Sequence, residues 1–131
     1  MHVRSLITIG LLLLTQGENQ LRPDPPIVCD SCDGWNRMQE PFKIFGNTYY
    51  VGVGGLSAIL VVTDDGHILL DGGLPQSAAL IDAGIRELGF RTQDVRLIGN
   101  SHAHYDHAGG IAALQRASGA TVAASPAAAD A

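Results

Sequence analysis

Positive charge is scarce in this chain. Lys43 is the one lysine, and eight Lys and Arg residues stand against 13 Asp and Glu residues among 131 positions, which gives a net charge of −5. Proteins that bind nucleic acid concentrate Lys and Arg on one surface to contact the phosphates. The composition therefore favours a single globular unit and argues against a nucleic-acid partner.

The chain also lacks an apolar run long enough to cross a membrane. The run near its start covers residues 6–14, whereas a bilayer-spanning helix needs about 20 apolar residues. A short positive segment precedes this run, and Thr15-Gln16-Gly17 follows it with small residues where signal peptidase cuts. We interpret residues 1–17 as a secretory signal peptide and expect a periplasmic protein without a stable membrane anchor.

Cysteine is limited to Cys29 and Cys32, in the sequence Cys-Asp-Ser-Cys. A zinc ribbon needs a second cysteine pair, and an exported protein enters an oxidising compartment. We therefore favour a structural disulfide over a redox pair, with the partner of each cysteine left open. Both lie in residues 18–34, which we interpret as an irregular leader because prolines interrupt it.

The remaining residues, 35–131, alternate between strand and helix patterns, which predicts an α/β fold with helices covering a sheet. The Gly46-Asn47 pair predicts a hairpin between two β-prone runs. The continuous apolar run in the third strand indicates burial on both faces of the sheet. Predicted strands cover residues 42–45, 48–51, 57–63, 67–71, 95–99 and 121–124, and predicted helices cover 75–89 and 111–119.

Histidine is concentrated in one short segment. Three of the five histidines, His102, His104 and His107, fall within six positions together with Asp106. Imidazole nitrogen and carboxylate oxygen are ligands that zinc prefers. His102 and His104 would project to one side of an extended strand end, and Gly109-Gly110 would allow the turn into a helix. We predict a metal site here, at the carboxyl end of a strand, and rank a merely His-rich surface loop below it.

These residues resemble a known signature. The segment from His102 to His107 resembles the His-x-His-x-Asp-His motif of the metallo-β-lactamase superfamily. Residues 46–52, 56–58, 68–72 and 100–110 resemble the class B zinc β-lactamases of subclass 3, and the likeness extends from about Trp35 to Ser125. The resemblance implies that residues 35–131 form the amino-terminal half of a four-layer αβ/βα sandwich, a partial domain with two zinc ions in the groove of the complete enzyme.

The resemblance also implies a ligand set and a reaction. One zinc would take His102, His104 and a third histidine, and the other would take Asp106, His107 and a further histidine from later in the fold. No histidine follows His107. The chain thus supplies two ligands per metal where catalytic zinc sites have three, so we expect the fragment alone to bind zinc weakly and to be inactive. The complete enzyme would hydrolyse the β-lactam amide bond, with Asp106 orienting the attacking water.

Three residues outside the motif also need an interpretation. Asp71 ends a predicted strand and matches an acidic position of the superfamily, so it either orients a ligand histidine or caps the turn at Gly72-Gly73. Ser101 is interpreted as a small residue that the backbone requires. His67 begins a strand after a turn, and we expect it in solvent.

Two rival functions remain at this stage. A thioester hydrolase or lactonase of the same superfamily would share the motif and the fold, and an inactive zinc-binding fragment would share the ligands alone. The export signal and the flanking segments favour the β-lactamase. The sequence assigns no oligomeric state.

Overall fold

The computed structural model describes residues 20–129, so the predicted signal peptide lies outside the described residues. Among these residues, the first four strands follow one another, and helices then separate the fourth, fifth and sixth strands. Strands and helices in one unit confirm the α/β prediction. The strands are β1 (Phe42–Phe45), β2 (Thr48–Tyr50), β3 (Ile59–Val61), β4 (His67–Leu70), β5 (Val95–Asn100) and β6 (Thr121–Ala124). The α-helices are α1 (Cys32–Trp35), α2 (Ser77–Glu87), α3 (Tyr105–Ala108), α4 (Ile111–Ser118) and α5 (Pro126–Ala129), and a 3₁₀ turn covers Thr92–Asp94.

The strands form one mixed sheet in the order β1-β2-β3-β4-β5-β6. The first four strands pair antiparallel, and β4, β5 and β6 pair parallel. Gly46 has a φ of +56° in the predicted hairpin turn between β1 and β2. Parallel neighbours need a crossover, which α2 supplies between β4 and β5 and which α3 and α4 supply between β5 and β6. This topology carries the chain to the histidine motif at the end of β5.

One face of the sheet forms the core. Leu60, Leu69 and Ile98 occupy one row across β3, β4 and β5, and all three are fully buried. Ile85 of α2 and Leu114 of α4 belong to the same buried cluster. The amphipathic pattern of both helices thus packs them on the same side of the sheet.

The opposite face of the sheet is apolar but open. Ile59 and Val61 of β3 are half-buried, and Leu70 at the end of β4 is 42% exposed. None of these three belongs to the buried clusters of the residues described here. The prediction that the third strand is buried on both faces is therefore wrong for residues 20–129, because helices cover one face alone.

The leader is hydrogen-bonded to one side chain just before α2 and to one in α4. The Gln76 amide, just before α2, accepts a hydrogen bond from the Ile27 N–H (3.1 Å) and donates one to the Ile27 carbonyl (2.8 Å). Arg116 of α4 donates to the Asp24 carboxylate at 2.8 Å. The leader therefore lies along the helical layer, and residues 20–31 contain no helix or strand.

Cys29 and Cys32 form a disulfide with each other, so each is the partner that sequence analysis left open. Cys32 is buried in a second apolar cluster with Leu56 and Leu74. The bridge thus closes a small loop at the point where the leader enters α1. None of the helices between residues 20 and 129 has both the length and the apolar character to span a bilayer.

Candidate metal centre

The histidine motif lies at the carboxyl end of β5, as predicted. β5 ends at Asn100, an extended segment follows, and α3 begins at Tyr105. His104 is the residue before α3 and keeps an extended backbone, with φ −69° and ψ 151°. Asn100 accepts a hydrogen bond from the His102 N–H at 3.1 Å, which fixes the start of this segment.

The structure brings the three histidine rings together. The ring centroids of His102 and His104 are 4.1 Å apart, and those of His102 and His107 are 5.4 Å apart. His102 and His104 are exposed, whereas His107 is half-buried. The imidazoles therefore share one small surface at the edge of the sheet instead of pointing apart.

Asp106 and His107 have the separation of two ligands on one ion. Oδ2 of Asp106 lies 3.6 Å from Nε2 of His107. Zinc bonds of about 2.0–2.1 Å in tetrahedral geometry put neighbouring ligand atoms about 3.3 Å apart, so a shift of a few tenths of an ångström suffices. Among residues 20–129 no group of three or more His, Cys, Asp or Glu residues is arranged to hold a metal ion. The donors thus fit zinc in their chemistry, and Asp106 and His107 have donor atoms near the spacing of two ligands.

Asp71 lies directly behind His107. It is 8% exposed and has a φ of +62°, a left-handed conformation that Asp tolerates better than most residues. Its Oδ2 is 3.1 Å from Nδ1 of His107 and accepts the Ser101 hydroxyl at 2.5 Å, while its Oδ1 accepts the Ser101 N–H at 2.7 Å. These contacts join the Asp71 carboxylate to Ser101 and His107, and none of them caps the Gly72-Gly73 turn.

These contacts determine which nitrogen of His107 is free to bind a metal. A carboxylate can only accept hydrogen bonds, so Nδ1 of His107 must donate to Asp71. In a neutral imidazole, Nε2 then carries the free lone pair, and Nε2 is the atom beside Asp106. A metal ligand whose second nitrogen donates to a carboxylate is the usual arrangement in zinc proteins.

Backbone hydrogen bonds join the end of β4 to the motif. The Gly72 N–H donates to the His107 carbonyl at 2.8 Å, and the Gly110 N–H donates to the Gly73 carbonyl at 3.1 Å. A Cβ at Gly110 would lie 2.2 Å from the Gly72 carbonyl oxygen, which no other residue could accommodate without moving the backbone. Gly110, predicted to allow the turn into a helix, is thus also needed for the close approach of the motif to Gly72.

Two residues differ from their sequence interpretation. Ser101 contacts Asp71 through two atoms, although nothing in the sequence connects residues 30 positions apart. His67 is 8% exposed and packs edge-on against Phe90, with ring centroids 5.5 Å apart, so the expectation of a solvated residue is wrong. Its position at the start of β4 puts it at the opposite end of the strand from Asp71.

The chain is similar to known proteins in sequence and in fold. Residues 51–131 match the family model of the metallo-beta-lactamase superfamily. Rm3 metallo-beta-lactamase is 61% identical with a TM-score of 0.76 over 79% of this chain and 38% of that chain. MEM-A1, a subclass B3 enzyme from a soil metagenome library, is 65% identical with a TM-score of 0.67 over 67% and 33% of the two chains.

A third solved structure, described as the first B3 metallo-beta-lactamase with an active-site glutamic acid, is 45% identical with a TM-score of 0.78. The match covers 81% of this chain and 40% of that one. This chain therefore spans well under half the length of the relatives that it matches.

Proposed function

The chain belongs to the metallo-beta-lactamase superfamily, and from this premise we propose that it forms the amino-terminal part of a subclass B3 enzyme that hydrolyses β-lactams with zinc. The observation that carries the proposal is the pairing of Asp106 and His107 at 3.6 Å, with Asp71 fixing the imidazole from behind. A surface loop that is His-rich by chance has no reason to bury such a carboxylate behind one of its histidines.

The donors divide between two ions. His102 and His104 would hold one zinc, and Asp106 and His107 would hold the other, each with a ligand from outside the described residues. Bound zinc polarises the amide carbonyl and lowers the pKa of water toward about 7. Asp106 would orient the water for attack, and the half-buried position of His107 would keep its imidazole in one orientation.

Export to the periplasm is part of the proposal. The pattern of residues 1–17 supports it, and a disulfide persists in that oxidising compartment. Amino-terminal sequencing of protein from the periplasmic fraction tests it, with cleavage after Gly17 expected. Intact Met1 on material confined to the cytoplasm would contradict it.

The activity is tested by measuring imipenem hydrolysis by the full-length protein at increasing zinc concentrations. Loss of the absorbance of the β-lactam ring reports the hydrolysis. We expect turnover that a chelator abolishes and that His104→Ala lowers at least a hundredfold, because the substitution leaves an ion with one fewer ligand. His67→Ala is the matched control, since His67 lies at the other end of β4 and should retain turnover.

The same preparation also separates the rival functions. Hydrolysis of thioester or lactone substrates without hydrolysis of any β-lactam would replace the proposed substrate. Stoichiometric zinc binding without hydrolysis of any of them would favour a non-catalytic zinc-binding protein. The 131-residue chain alone is expected to bind zinc weakly, because it supplies two ligands to each ion.

A further inference from the structure

Among residues 20–129, the Asp71 carboxylate accepts two hydrogen bonds from Ser101 and one from His107. The Ser101 N–H donates to Oδ1 at 2.7 Å and the Ser101 hydroxyl donates to Oδ2 at 2.5 Å, so one residue holds both oxygens. The contact of Asp71 with His107 is longer, at 3.1 Å. The serine therefore has the stronger hold on the plane of the carboxylate.

Rotation of that carboxylate is the movement that the serine prevents. Asp71 follows β4, and hydrogen bonds from Ser101 and His107 hold its carboxylate. With only the hydrogen bond from the Ser101 N–H to Oδ1, the carboxylate could still rotate and move Oδ2. The hydroxyl closes the second contact and places Oδ2 where Nδ1 of His107 can donate to it.

We propose that Ser101 is a positioning residue that acts through Asp71 to hold His107 in the tautomer and orientation that bind the zinc shared with Asp106, called the second zinc from here on. The inference rests on the proposed function for the identity of the metal, but its geometry is independent of the substrate. Ser101 acts on the expected ligand His107 through Asp71, so its effect should appear in metal affinity before it appears in the chemical step.

The test compares Ser101→Ala, Ser101→Cys and Ser101→Thr in the full-length protein. Cys keeps the shape with a weak donor, and Thr keeps the hydroxyl. Nitrogen-15 NMR of the imidazoles in the metal-free protein reports the His107 tautomer, and competition with a chromophoric chelator reports the affinity for each zinc equivalent. Ser118→Ala is the matched control, because the Ser118 hydroxyl bonds the Leu114 carbonyl at the end of α4.

We expect Ala and Cys to weaken the binding of the second zinc by about tenfold and to mix the His107 tautomers, with the first zinc little changed. Thr should restore both measurements, and Ser118→Ala should change neither. Wild-type tautomer and zinc affinity in Ser101→Ala or Ser101→Cys would overturn the inference, as would failure of Thr to restore them. If the zinc measurements follow this pattern but no β-lactam is hydrolysed, the proposed substrate fails and the role of Ser101 stands.

Discussion

Replacement of Asp71 by Asn removes charge from the site with little change of shape. Asn also tolerates the left-handed backbone that residue 71 adopts, so the substitution should not disturb the chain path. It replaces an acceptor-only carboxylate with an amide that has one acceptor oxygen and one NH₂ donor. The three hydrogen bonds now made by Ser101 and His107 cannot all survive this change.

Both orientations of the new amide are unfavourable. If its oxygen takes the Oδ2 position, the NH₂ group faces the Ser101 N–H, and two donors oppose each other. If the amide turns over, the NH₂ group faces Nδ1 of His107, which must then accept, so that Nε2 carries the proton and loses its lone pair for the metal. A hydrogen bond to a charged group contributes about 1.5–3 kcal/mol, which corresponds to roughly 10–100-fold in zinc affinity.

Chelator competition for the second zinc equivalent measures the effect, and the NMR tautomer signal of His107 identifies its origin. Asp82→Asn is the matched control: Asp82 is 7% exposed, accepts a hydrogen bond from Thr92 and pairs with Arg86, all away from the motif. That control should lower stability without altering zinc affinity. Unchanged zinc binding in Asp71→Asn would refute the argument that the carboxylate fixes the imidazole.

Three further predictions concern stability and are measured by urea unfolding. Gly110→Ala should lower the free energy of unfolding by about 3 kcal/mol, because its Cβ would lie 2.2 Å from a backbone oxygen, whereas Gly34→Ala, in open space, should cost far less. Ile98→Ala should lower the free energy of unfolding by about 2–5 kcal/mol. Val122, which pairs with Ile98 and is 44% exposed, should lose about 0.5 kcal/mol on replacement by Ala, and equal losses at the two positions would contradict the core assignment. Reduction of the leader disulfide, which closes a loop over a sequence separation of 3, should cost about 2 kcal/mol, and no change on reduction would show that the bridge is dispensable.

Local patterns predicted much of this structure. Gly46-Asn47 has the backbone preference that a hairpin turn requires, and the spacing of Ile81 and Ile85 puts both on the buried face of α2. The motif could be placed at the end of β5 because an apolar run before it and glycines after it define a strand-to-helix turn. Several boundaries differed by one or two residues. β3 covers Ile59–Val61 instead of 57–63, and α2 begins at Ser77 instead of Pro75, since the Leu74 N–H donates to the Ser77 hydroxyl in a preceding turn.

Features that depend on distant parts of the chain could not be predicted in the same way. The link between Asp71 and Ser101 joins two strand ends that become neighbours only when β4 and β5 pair. The burial of His67 depends on Phe90, which the turn after α2 brings against it. The apolar character of β3 indicated a strand between two layers, but helices among the described residues cover only one of its faces.

The hydrogen bonds between the end of β4 and the motif have a consequence for metal uptake. The Gly72–His107 and Gly110–Gly73 bonds join backbone atoms, and they tie the motif to the end of β4. The backbone of the motif is therefore ordered during folding. If zinc binds there as proposed, less of its binding free energy would be lost to ordering this loop.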